Sequence, residues 1–356
     1  MDRSRRKLIA SMAMLSVVAL VAAACSSTSS TSSSSSSAAS GSGSASASAA
    51  PAALTVELDW VPNPDHVGLY YAQDKGDFSD AGLTITFQAP SNAADPIKLV
   101  GLNKVDLAIT YEPEMSYGQQ NELPVMAVAT VVPVPLNSMI VNPDEPITSL
   151  SEISGKSVGV TGIPSDDAFY VTMLKTAGLS EGDVTKVNVG FNLVTSLLQH
   201  KVDAIIGGYR NVEAIQIEQE SGTKPTVFPA DQLGVPSYAE LVVAANADRL
   251  ASDPAYADAV TRFVAALVKG TDGAIADPAG ATAVMKQVTE YDPVFLDESV
   301  PYTLELLTPA AGTKTGCIDV ANWQSYGDWM LASALITGTP DAAAISTDQY
   351  MPYSCS

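Results

Sequence analysis

Short β-branched runs and longer stretches of helical spacing take turns along this chain from Leu54 onward, and the cycle is run through twice. Parallel strands need a crossover of a dozen or more residues, usually a helix, so this pattern implies α/β layers with parallel pairing. The first cycle predicts strands at residues 54–58, 83–88 and 106–110, with helices at 67–78 and 96–103. Apolar runs at 125–132 and 138–141 close it. The second cycle starts near Ile147, with strands at 157–160, 184–189 and 204–207 and helices at 165–177 and 193–200. A buried strand at 240–244 follows, then helices at 255–276, 278–289, 293–307 and 320–336. Asp277 before Pro278 reads as an N-cap followed by proline in the first helical turn. A chain of 356 residues also exceeds the roughly 250–300 at which a single core stops growing. The expected fold is α/β in two lobes, with residues 54–142 and 238–356 in lobe 1 and residues 143–237 in lobe 2.

The first fifty residues obey other rules. Arg3, Arg5, Arg6 and Lys7 precede an apolar run from Leu8 to Ala24, a basic region followed by a hydrophobic one. Ala22-Ala23-Ala24 then leads into Cys25, which resembles the lipobox of bacterial lipoprotein signals. The resemblance implies cleavage of residues 1–24, lipidation of Cys25 and attachment to the outer face of the cell membrane. An uncleaved membrane span is the other reading of the same apolar run. Residues 26–53 contain only Ser, Thr, Ala, Gly and one Pro, so residues 25–53 are expected to be a disordered tether. As a flexible coil such a segment spans roughly 30 Å.

The net charge is −21, and removal of the signal would leave the body more acidic still. That sign excludes a nucleic-acid binder, which needs a basic face. Beyond Cys25 the only cysteines are Cys317 and Cys355, which read as a disulfide in an oxidising compartment. Two free thiols are the alternative. The spacing of two Cys and two distant His supplies no metal site.

Enzymatic motifs fail. Gly155-Lys156-Ser157 looks like the end of a phosphate loop, but Leu150 stands where its first glycine belongs. His66 and His200 are the only histidines, which leaves little for general-base work. The many carboxylates show no paired spacing and read as solvated surface. One segment does suggest chemistry, the run Asp59-Trp60-Val61-Pro62-Asn63-Pro64-Asp65-His66 after the first strand. Ligands bind at the carboxyl ends of strands in open α/β sheets, and a ring beside polar groups suits a flat heterocycle. Trp60 is either a stacking face or an anchor between the lobes, and His66 either a ligand contact or a structural residue at the helix start.

The segment from Asp59 to Tyr71 resembles the opening motif of the thiamine-pyrimidine-binding solute receptors, a branch of the ABC transporter substrate-binding proteins. Thr110-Tyr111-Glu112-Pro113-Glu114, Gly155-Lys156-Ser157-Val158-Gly159 with Gly162, and the stretches 188–194 and 201–213 are similar to further motifs of that family. The resemblance implies a type II periplasmic-binding-protein fold with the ligand cleft between its lobes. It implies stacking by Trp60 and Tyr209, hydrogen bonds from Asn63 and Asn211, and a charge-assisted contact from Glu213 to an aminopyrimidine. His66, Tyr111 and Gly162 would line the same cleft. The implied protein is a binding lipoprotein without a cofactor, a monomer that serves an ABC permease and its ATPase. Arg210 stands where many relatives have an aromatic residue, and either pairs with an acid such as Glu213 or signals an anionic ligand. A flavin or sulfonate receptor is the alternative, and a pyrimidine synthase, which in the fungal branch consumes a pocket histidine, a more distant one.

Overall fold

The computed structural model describes residues 50–355. The predicted signal, Cys25 and most of the predicted tether lie outside the described residues. Two five-stranded mixed sheets organise the chain. The first has the order β2-β1-β3-β10-β4, from β1 (Ala52–Glu57), β2 (Leu83–Gln88), β3 (Leu107–Thr110), β4 (Val125–Val132) and β10 (Leu241–Asn246). β1 lies parallel to β2 and β3, whereas β10 runs antiparallel to β3 and β4. The second sheet has the order β7-β6-β8-β5-β9, from β5 (Asn137–Val141), β6 (Ser157–Val160), β7 (Thr185–Asn188), β8 (Ala204–Tyr209) and β9 (Val227–Pro229). Its β6 is parallel to β7 and β8, and β5 is antiparallel to β8 and β9.

The chain therefore passes between sheets twice, between β4 and β5 and between β9 and β10. The first passage corrects the expectation that lobe 1 runs to residue 142, because Asn137–Val141 pairs wholly within the second sheet. The expected tether also ends earlier than residue 53. Ala52 and Ala53 pair with Leu83 and Thr84.

Helices cover both faces of the first sheet. Pro254–Ala276 starts on Asp253, whose side chain accepts from the backbone N–H of Ala255 and Tyr256. It crosses Val67–Asp74 at glycines: a Cβ on Gly270 would stand 2.3 Å from the Cβ of Ala72, so only hydrogen fits there. Phe263, Leu296 and Val300 lie fully buried in the core this pair and Pro293–Leu307 form over the sheet. Full burial of such side chains contributes about 1.5–3 kcal/mol each. Asp277 caps Pro278–Val288 through the N–H of Gly280 at 3.0 Å, as predicted.

The helix Val320–Ala332 does not stay with the first lobe. Trp323 packs in a first-lobe core with Ile97, Val242 and Ile345. One turn on, Tyr326 and Met330 pack with Phe169, Met173 and Val158 of the second lobe. The helix spans the junction, which corrects its assignment to lobe 1 alone. Cys317 and Cys355 form the expected disulfide, with Cα atoms 5.6 Å apart. It fastens the end of the described chain beside the start of this helix.

Candidate functional site

The turn after β1 builds the first wall. Asn63 is the N-cap of a short 3-10 helix, Pro64–His66, accepting from the N–H of Asp65 at 2.8 Å. His66 returns the bond: its Nδ1 accepts from the Asn63 N–H at 3.3 Å. That bond leaves Nε2 to carry the proton, which it donates to Asp59 Oδ1 at 2.7 Å. Asp59 Oδ2 accepts from the Tyr111 hydroxyl at 3.0 Å. Asp59, Trp60, Asn63 and Tyr111 reach the cavity, while His66 is fully buried behind them with both ring nitrogens engaged.

The second wall comes from β8 and its flanks. Tyr209 ends β8, and Glu213 opens the helix Glu213–Ser221 and accepts from the Tyr209 N–H at 2.8 Å. Asp166, in the first turn of Pro164–Thr176, accepts from Asn137 Nδ2 at 2.8 Å and from the Thr161 hydroxyl. Gly207 lies beside it with φ +87°, and a Cβ there would stand 2.6 Å from Asp166 Oδ2, so the backbone and the carboxylate share space only glycine leaves free.

Glu240 joins the walls at the passages between the sheets. Its Oε2 accepts from the N–H groups of Leu136 at 2.6 Å and Asn137 at 3.0 Å, and from the Tyr238 hydroxyl at 2.9 Å. Its Oε1 accepts from the Tyr209 hydroxyl at 3.1 Å. Both crossovers thus end on one buried carboxylate. Further contacts hold the lobes together beyond it. Glu114 accepts from the N–H of Ser165 at 3.0 Å. Asn211 donates to Asp65 Oδ1 at 2.7 Å and to the Thr303 hydroxyl at 2.8 Å. Trp60 meets Phe191 edge to face, with ring centroids 4.4 Å apart.

Four carboxylates, from Asp59, Asp166, Glu213 and Glu240, line the cavity, and among the described residues no Lys, Arg or His does. Removal from water holds Asp166 up at about 6 and both Glu213 and Glu240 at about 7, with the hydrogen bonds they accept opposing the shift. Asp65, behind the wall, is pushed well above the usual carboxylate range by burial, and its Oδ2 has no partner among the described residues. In this closed arrangement the enclosed space is about 20 Å³, room for about one water.

The sequence-predicted residues divide. Trp60, Asn63, Tyr111, Tyr209 and Glu213 come together around the cavity. His66 and Asn211 are fully buried and serve the wall and the lobe junction. Gly162 has φ +90° in a turn whose neighbours Thr161 and Ile163 line the cavity in its place. Arg210 is half-buried, does not line the cavity and has no ion-pair partner among the described residues, so it is not paired with Glu213. Asp166, Asn137 and Glu240 were not anticipated, and the carboxylates around the site are not solvated surface. Glu240 did leave a trace: it opens the wholly apolar run Leu241–Ala245, where a charge calls for a reason.

The family model described as NMT1/THI5 like matches residues 63–281. The chain belongs to this family. It is 33% identical over 293 residues to a protein of Haemophilus influenzae named for thiamine biosynthesis, covering 82% of this chain and 90% of that one. It is 30% identical over 282 residues to the formylaminopyrimidine-binding protein of Halalkalibacterium halodurans, covering 77% and 83%. A 4-amino-5-hydroxymethyl-2-methylpyrimidine phosphate synthase of Saccharomyces cerevisiae is 28% identical over 245 residues, covering 64% and 68%. Among solved structures, the alkanesulfonate-binding protein SsuA of Xanthomonas axonopodis superposes with a TM-score of 0.64 at 16% identity, covering 84% of this chain and all of that one. This member of the NMT1/THI5 like family thus has the two-lobed α/β fold of the periplasmic binding proteins.

Proposed function

We propose that this chain is the extracytoplasmic solute-binding lipoprotein of an ABC importer. In this reading it captures a thiamine-precursor aminopyrimidine, of formylaminopyrimidine or hydroxymethylpyrimidine type, and hands it to a permease. The observation that carries the reading is the lining of the cleft: buried carboxylates, two phenols and an indole, without a cation. An aminopyrimidine offers what such a lining lacks. Its exocyclic amine donates two hydrogen bonds, a ring nitrogen can take a proton, and its flat faces suit Trp60 and Tyr209. With Glu213 near 7, proton sharing with the ring costs little at neutral pH, and charge-assisted bonds of this kind are strong and directional. A sulfonate would meet carboxylates of its own sign.

The engagement of His66 on both nitrogens, away from the cavity, supports binding without turnover over a histidine-consuming synthase. Attachment through Cys25, action as a monomer and delivery to a permease with its ATPase belong to the same proposal. Thermal-shift and calorimetric titration against formylaminopyrimidine, hydroxymethylpyrimidine, riboflavin and alkanesulfonates tests it. A native-state ligand at a hundredfold its Kd stabilises by about 2.7 kcal/mol, so an aminopyrimidine should raise Tm by several degrees. A shift with a sulfonate or flavin, and none with any aminopyrimidine, overturns the ligand class.

A further inference from the structure

Beyond the inner cavity lies a second, wider chamber of about 660 Å³. The two share Trp60 and Glu213, so the indole and the carboxylate form the partition between them. The outer chamber has walls from both lobes: Val61, Val288 and Tyr291 on one side, Phe191 and Leu193 on the other. Val61, Phe191 and Val288 are among the few large apolar side chains that stand exposed. Its acids are Glu213 and Glu290, and among the described residues no Lys, Arg or His lines it.

Resting on the aminopyrimidine reading above, we propose that the outer chamber is a second subsite, for a neutral or cationic aromatic group carried by the same ligand. The ring would be held in the inner cavity and its substituent would pass between Trp60 and Glu213. Each feature of the outer lining favours that occupant. Exposed apolar and aromatic side chains gain by covering a flat group. Ring faces and carboxylates attract a cation and repel an anion. Because both lobes contribute to the chamber, an occupant touching both walls would favour closure.

Three probes sharing one ring test this by calorimetry. They are 4-amino-5-hydroxymethyl-2-methylpyrimidine, thiamine (the same ring joined to a cationic thiazolium) and thiamine monophosphate. Thiamine should bind at least tenfold more tightly than the hydroxymethyl compound, and the phosphate ester should lose that gain. Val288→Lys, on the exposed rim of the outer chamber, should weaken thiamine about tenfold and strengthen the phosphate ester. It should leave the hydroxymethyl compound within twofold. If the hydroxymethyl compound binds as tightly as thiamine, the subsite falls and the receptor reading stands. Equal changes for all three probes in Val288→Lys also sink the subsite. Failure of all three to bind native protein sinks both.

Discussion

The two walls of the cleft are built on the same sheet plan yet end in opposite electrostatic conditions. On the first-lobe wall the groups around Asp59 hold one another: Asp59 accepts from His66 and Tyr111, and His66 accepts from the Asn63 N–H. On the second-lobe wall and at the junction, Asp166, Glu213 and Glu240 accept fewer charged bonds than their burial demands, and their pKa values rise accordingly. One wall is a finished mould, and the other retains appetite for donors. For the proposed aminopyrimidine the contrast indicates where affinity would come from: the first wall would position the ring and the second would bond to it.

The severest way to break the contrast is Glu240→Ala. It strands two buried backbone N–H groups and two phenols, and should cost roughly 4 kcal/mol, on the order of 10 °C in Tm. A loss below about 2 °C by calorimetry would mean that the crossovers do not depend on this carboxylate. Next in size is Glu213→Gln. The amide oxygen can still accept from Tyr209, so the unliganded Tm should stay nearly unchanged, while affinity for an aminopyrimidine drops by roughly 10- to 100-fold, the worth of one charge-assisted bond. Unaltered affinity in titration would remove Glu213 from the site.

The smallest expected effect is on pH dependence. Glu112 is held up at about 8, Glu114, Glu213 and Glu240 at about 7 and Asp166 at about 6, chiefly by burial. Groups whose folded pKa is raised bind protons more tightly in the native state. Their stabilisation is complete below the unfolded carboxylate range and is lost as pH rises through about 6 to 8. Tm should therefore fall between pH 5.5 and 8.5. Glu112→Gln, outside the cavity, should flatten that decline. A Tm that climbs over this interval, or an equal slope in the variant, contradicts the assignment.

Strand and helix order was legible because it rests on local periodicity: β2, β4, β6 and the helix Pro293–Leu307 appear within the predicted limits. The helix Glu112–Gln120 was missed because Pro113 and Gly118 look like breakers, although Pro in a first turn removes no needed donor. The lobe boundary slipped because the apolar run at β5 carries no mark of the sheet it joins. In the site, residue type was legible and direction was not. His66 and Asn211 have the right chemistry for a ligand but turn their bonds toward protein. Asp166 and Glu240 acquire their place only when distant segments meet, across 29 and 104 residues, which no spacing reveals.

Two bodies joined by a pair of crossing strands can twist as well as swing. The helix Val320–Ala332, with Trp323 set in one core and Tyr326 and Met330 in the other, works as the spine of a book. In the proposed receptor such a spine would leave the covers one easy movement, opening and shutting about a fixed edge. The permease of the proposed importer, reading the outer surface, would then meet a device with two positions.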